Sequence, residues 1–170
     1  IKTDTVRIVN NSADKAITEI TGDYVFCEDS ITLRANQPLA GTGKWEVVSG
    51  YGDVETPDNY ETKVRNLTFG KSIFRWKVSN GQCSNSSLVT IHSETPKDYA
   101  YAGEDDLIFV DGYTLHAKIP AAGIQAKWEV IAGNGILTDA DNYTTGVTNL
   151  SPGVNTFRWT VKYNNCEAYD

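Results

Sequence analysis

The sequence is written twice. Lys44-Trp45-Glu46-Val47-Val48-Ser49-Gly50 returns as Lys127-Trp128-Glu129-Val130-Ile131-Ala132-Gly133, and Asp58-Asn59-Tyr60 returns as Asp141-Asn142-Tyr143. Asn66-Leu67 returns as Asn149-Leu150, Gly70 as Gly153, Phe74-Arg75-Trp76 as Phe157-Arg158-Trp159, and Cys83 as Cys166. Each pair is 83 residues apart (44 to 127, 83 to 166). That period is too long for one turn of a solenoid and fits a small complete domain. Length alone would allow 170 residues to be one domain, but the repeat makes two, each able to bury a modest core. Tandem arrays of this kind serve as spacers, stalks or adhesive fibres.

The phase of the repeat suggests its boundaries. Asp4-Thr5-Val6-Arg7-Ile8 lines up with Ser87-Leu88-Val89-Thr90-Ile91 at the same spacing. Residues 1–12 therefore read as the final strand of a preceding repeat, 13–95 as one repeat, and 96–170 as a second whose last strand is expected to be missing. With no Met and no leader segment, the chain reads as an internal piece of a longer, processed protein. Ser93-Glu94-Thr95-Pro96-Lys97 joins the copies; it is short, polar and stiffened by Pro96, which favours an end-to-end, rod-like arrangement.

Within one repeat, short apolar and β-branched runs alternate with Gly, Asn, Asp and Pro clusters. Lys44 to Val48 puts Trp45 and Val47 on one face. Ser72 to Val78 puts Phe74, Trp76 and Val78 inward and Arg75 and Lys77 outward. This period of two marks half-buried antiparallel strands. Further strands are expected at Ile17 to Ile20, Ser30 to Ala35, Glu61 to Val64 and Ser86 to Ile91, with a hairpin turn at Asn80-Gly81. The second copy places strands near Tyr113 to Ala117, Lys127 to Ile131, Thr144 to Val147 and Thr156 to Val161. About seven strands in some 80 residues predict an all-β fold: tandem immunoglobulin-like antiparallel β-sandwiches, with Trp45 and Trp128 in the core position of the third strand.

Three cysteines are present. Cys27 precedes the second expected strand and Cys83 follows the Asn-Gly turn, so both can lie at one end of an antiparallel sandwich. A Cys27–Cys83 disulfide is expected, stabilising by roughly 4 kcal/mol in the chain-entropy view. Cys166 matches Cys83, but Val110 stands where the 83-residue spacing would put a second Cys27, which leaves Cys166 without a partner in its own copy. A disulfide implies an oxidising or extracellular compartment.

From Cys27 to Cys83 the chain carries Cys-x-Asp-Ser-x-x-Leu, then Gly-Thr-Gly-x-Trp-x-Val-Val-Ser-Gly, then Asn-Leu-x-x-Gly-x-x-x-Phe-Arg-Trp-x-Val-x-Asn-Gly-x-Cys. This pattern resembles the Ig-like (PKD-like) tandem repeats of very large Bacteroidetes cell-surface proteins of the gliding-motility adhesin type. The resemblance covers nearly the whole chain; the second copy departs from it by lacking the first Cys. It implies export by the type IX system, display at the cell surface, and a mechanical or adhesive role. The expected partners are neighbouring repeats of the same chain, together with surface polysaccharide or outer-membrane export and motility proteins. Asp29-Ser30-Ile31 and Asp4-Thr5-Val6 also resemble the O-glycosylation acceptor of this bacterial group, although both read equally as strand starts.

Chemistry has little support in the residues. His92 and His116 have no counterparts in the other copy and no paired nucleophile, so no catalytic residue and no cofactor are expected. The recurring Glu46/Glu129 and Arg75/Arg158 read as cross-strand ion pairs on an exposed face. The loops at Thr56 to Asn59 and Thr138 to Asn142, with Glu104-Asp105-Asp106, carry clustered oxygen donors suited to calcium. They lack EF-hand spacing, and Asp and Asn are the usual turn formers, so no metal site is assigned. A net charge of −7 argues against nucleic acid, and no apolar run approaches the ~20 residues that span a bilayer. An accessory, glycan-binding role inside a secreted polysaccharide-degrading enzyme is the alternative reading.

Overall fold

A computed structural model describes residues 4–10, 12–20 and 23–170. The chain forms two compact units. The first holds the chain up to Tyr24, with Asp29–Leu67 and Lys71–His92; the second holds Val25–Glu28, Thr68–Gly70 and Ser93–Asp170. Two short stretches of the first sequence repeat thus belong to the second unit, and the main division falls at Ser93.

The first repeat supplies β1 (Asp23–Phe26), β2 (Ile31–Arg34), β3 (Thr42–Ser49), β4 (Asp53–Val54), β5 (Glu61–Arg65), β6 (Gly70–Asn80) and β7 (Cys83–Ser93). The second supplies β8 (Tyr113–His116), β9 (Gln125–Ala132), β10 (Ile136–Leu137), β11 (Thr144–Thr148), β12 (Thr156–Tyr163) and β13 (Cys166–Tyr169). One sheet has the order β1-β7-β6-β3 and its companion β2-β5-β4. The second copy repeats this as β13-β12-β9 and β10-β11-β8. A three-strand sheet of second, fifth and fourth strands facing one of last, sixth and third is the immunoglobulin-like arrangement. Both copies are all-β tandem immunoglobulin-like units.

The register explains the alternating sequence. Trp45 lies opposite Trp76 and Trp128 opposite Trp159, all four at most 2% exposed. In the second unit Leu115 and Val147 from one sheet close on Trp128, Trp159 and Val161 from the other, with Ile124 beside them. The turns recur as well. Gly50 and Gly133 have φ of 78° and 77°, and a Cβ would fall 2.6 Å from the Lys71 carbonyl oxygen or 2.8 Å from that of Val154. A side chain is therefore excluded there twice over. Asn66 and Asn149 take φ of 55° and 59° at equivalent corners, a conformation Asn tolerates better than most residues.

The structure amends several expectations. Ile17 to Ile20 contributes one antiparallel bridge, Thr18 to Ala35, and no strand. The hairpin turns on Gly81-Gln82, not Asn80-Gly81, because Asn80 still belongs to β6. The returning strand starts at Cys83, three residues earlier than its apolar part suggested. Its equivalent in the second copy is consequently present as β13, paired to β12 from Thr160↔Tyr169 to Tyr163↔Cys166. The two copies also slip by one residue early on: buried Leu33 in β2 matches buried Leu115 in β8, an offset of 82. The Asp29 and Asp111 carbonyls accept from Leu67 and Leu150 at the same offset. Phe109, not Val110, therefore occupies the place of Cys27. Residues 4–10 carry no strand, and Val6 and Ile8 are 84% and 88% exposed.

The two cores differ in one testable respect. Phe74 is fully buried, while its equivalent Phe157 is only partly so. Phe74→Ala should cost about 3–5 kcal/mol in urea unfolding. Phe157→Ala should cost measurably less, because less apolar surface leaves water there; equal losses would contradict the burial difference.

Candidate functional site

The outward faces of β3 and β6 place Glu46 opposite Arg75, and β9 and β12 place Glu129 opposite Arg158. Both pairs close, at 2.6 Å for Arg75–Glu46 and 2.8 Å for Arg158–Glu129. The hydrogen bond from Arg158 holds the Glu129 carboxyl below its ordinary range, and Glu129 in turn raises Arg158. Thr160 Oγ1 also donates to Glu129, and the Arg158 guanidinium stacks 5.0 Å over the Tyr169 ring. Both pairs are half-exposed to solvent, so they order the sheet face more than they stabilise it.

The acidic loops spend their polar groups on turns. Asn59 Oδ1 accepts from the Glu61 amide and Asn142 Oδ1 from Thr144. The Pro57 and Ala140 carbonyls accept from the Trp45 and Trp128 amides. Thr62 and Thr145 hydroxyls accept from the Thr56 and Asp139 amides. Among the described residues no group of three or more His, Cys, Asp or Glu is arranged to hold a metal ion. His116 sits across the ladder from Thr144, its Nδ1 3.4 Å from the hydroxyl. His92 is near the far end of β7, nine residues along the strand from Cys83 and so about 30 Å away. A hollow of about 960 Å³ in the first unit is floored by Trp76, which is 1% exposed and offers no face for a sugar to stack on.

The feature that distinguishes the second unit is covalent. Cys27 is bonded to Cys166, with Cα atoms 5.2 Å apart and a sequence separation of 139. This overturns the expected Cys27–Cys83 pair and the unpaired Cys166; Cys83 is the free, exposed cysteine. The reason lies in the strands. The Phe26 carbonyl accepts from the Glu94 amide, just past the end of β7. Cys83 opens the same strand, eleven residues before Glu94 and so roughly 36 Å along it. Cys27 is thus at the wrong end of β7 to reach Cys83. Both cysteines of the bond lie in the second unit, Cys27 through the stretch Val25–Glu28.

Further contacts within that unit reinforce the tie. Ser93 Oγ donates to the Glu28 carbonyl, and Asn164 Nδ2 donates to Glu94 at 3.0 Å. Phe69 packs edge-on against Tyr163 at 4.8 Å and Tyr99 at 6.1 Å. Thr95 and Pro96 are buried. The segment read from sequence as a plain polar linker is therefore built into the second unit. The repeating pattern could not show this, because Phe69 is matched by Pro152 and Tyr163 by Asn80.

No protein-family profile matches the sequence, and no curated protein matches it. Among solved structures, the chain is similar to Drosophila OTK extracellular domains 3–5, at 14% identity and a TM-score of 0.35 over 88% of this chain and 56% of that one. It is also similar to the titin I-band fragment I67–I69, at 11% identity and 0.35 over 92% and 63%. The D00–D0 domain of intimin aligns at 10% identity and 0.37 over 91% and 96%. The chain thus spans under two thirds of the OTK and titin fragments. Among the described residues no helix is long and apolar enough to cross a membrane.

Three outcomes follow from this site. Cys27→Ser should lower the unfolding free energy by about 2–5 kcal/mol, as loss of a native disulfide does, while Cys83→Ser leaves it unchanged. Pulled between its ends, the oxidised chain should keep residues 27–166 closed, and reduction should release 139 further residues, about 490 Å of contour at ~3.5 Å each. Single-molecule traces of equal length with and without reductant would contradict the bond. The lowered Glu129 carboxyl stabilises fully above the ordinary glutamate value of about 4.3 and loses its effect as pH falls through the lower folded value. The melting difference between the native chain and Glu129→Gln should therefore vanish in acid and shrink in high salt.

Proposed function

We propose that the chain is a non-catalytic structural and adhesive segment of a long, repetitive cell-surface protein. The observation that carries this reading is a repeated immunoglobulin-like unit held by a disulfide spanning 139 residues. Each copy keeps the core Trp pair, the turn residues and the facing Glu and Arg. The histidines and the Cys27 position are not kept. What selection has duplicated is architecture, as expected of a part whose work is reach, stiffness and display.

The disulfide supports an extracytoplasmic setting. The resemblance of the Cys27 to Cys83 pattern to Bacteroidetes repeats supports placement on a filamentous adhesin exported by the type IX system, with gliding motility as a candidate use. Partners are then neighbouring repeats, surface polysaccharide or outer-membrane export and motility proteins.

Antibodies raised to this segment should label intact cells, and deleting the gene should weaken attachment or spreading on a surface. Absence of label on intact cells would sink the reading. So would a purified full-length protein that depolymerises polysaccharide, which would make these units accessory modules of an enzyme.

A further inference from the structure

We infer that Cys83 is a covalent docking point for a further copy of this repeat, its thiol pairing with the cysteine that such a copy carries at the position of Cys27. The inference rests on the tandem-array reading above. Cys83 and Cys166 hold the same place in their copies. Each is the first residue of the final strand, after a two-residue loop whose first residue has positive φ (Gly81 60°, Asn164 51°). The same residue therefore already bonds once in this structure, to a cysteine 139 residues earlier. Moving that link back by one period of 83 puts the partner of Cys83 outside these 170 residues, in a different copy.

Exposure separates the two cysteines accordingly. Cys166 is 3% exposed beneath its partner segment, whereas Cys83 and the next three residues, Ser84 to Ser86, are all exposed. A second observation points to the same kind of neighbour. Val6 and Ile8 are 84% and 88% exposed, yet they align with Val89 and Ile91, which are 2% and 0% exposed within β7. An apolar, strand-like stretch lying in water has the composition of a final strand that belongs in the sheet of another copy.

The ladder has a direction and a stop. Each link joins the Cys27 position of one copy to the Cys83 position of the next. Phe109 fills the Cys27 position of the second copy, so no link leaves it toward a later copy. Closure oxidises two thiols to one disulfide; the two electrons and two protons pass to a disulfide-bonded oxidoreductase, which leaves as a dithiol.

The test is peptide mapping of the full-length protein from its native source, alkylated under denaturing, non-reducing conditions and cut with trypsin. The peptide Ala16–Arg34 linked to the tryptic peptide that begins at Tyr163 reports the bond already described. The expected new species is Val78–Lys97, carrying Cys83, linked to a Cys-x-Asp-Ser peptide from another repeat. Recovery of Val78–Lys97 alkylated at Cys83, or linked to a second Val78–Lys97, would overturn the inference while leaving the array intact. A map with no peptides from further repeats would instead remove the array reading itself.

Discussion

Trp45 and Trp76 lie side by side at 5.3 Å across the β3–β6 ladder, and Trp128 and Trp159 at 5.1 Å across β9–β12. These pairs set everything else in each unit. Because side chains alternate along a strand, seating two indoles on the inner face forces Glu opposite Arg on the outer one. A slip of β6 by one residue would turn Trp76 out to solvent and bury the Arg75 guanidinium. Indole pairs at this spacing add about 0.5–1.5 kcal/mol beyond their burial, and far more surface than any other residue pair in the core. The Glu–Arg bridges are thus a consequence of the register that the tryptophans impose, and contribute little to fixing it.

Most of this was legible in the sequence because it is periodic. The inward run Phe74, Trp76, Val78 and its copy gave the faces and the outer ion pairs. The 83-residue echo gave the two units. What could not be read is what does not repeat. The pairing of Cys27 depends on which end of β7 it meets, and alternation along a strand carries no information about that. Apolar content also understates strands: β7 begins with the polar run Cys83 to Ser86, which looks like loop. Strand β1 and the two-residue strands β4 and β10 carry too few residues for a period to show. The one-residue slip between Leu33 and Leu115 was hidden because the matching strands around it keep the longer spacing.

The two copies share a framework and differ in their fastenings. The Trp pairs, the positive-φ corners and the loop carbonyls that cap the third strand occur twice. The disulfide, the Phe69 contacts and the buried Thr95-Pro96 occur once. A framework that tolerates such changes can be duplicated freely, because its stability comes from contacts inside each copy. Fastenings then become the variable part, and they decide how a string of identical shapes behaves mechanically.

The bond from Cys27 to Cys166 also has a consequence for the order in which the molecule is made. Cys27 leaves the ribosome, or an export channel, long before its partner, and Cys83 comes first. In an unfolded chain the 56-residue loop to Cys83 closes roughly four times as often as the 139-residue loop to Cys166. Chain statistics therefore favour the wrong partner until β7 has folded. Only a formed strand, with Cys83 at one end of β7 and the partner of Phe26 just past the other, reverses that preference. Correct oxidation is a record that folding of the first copy came before it.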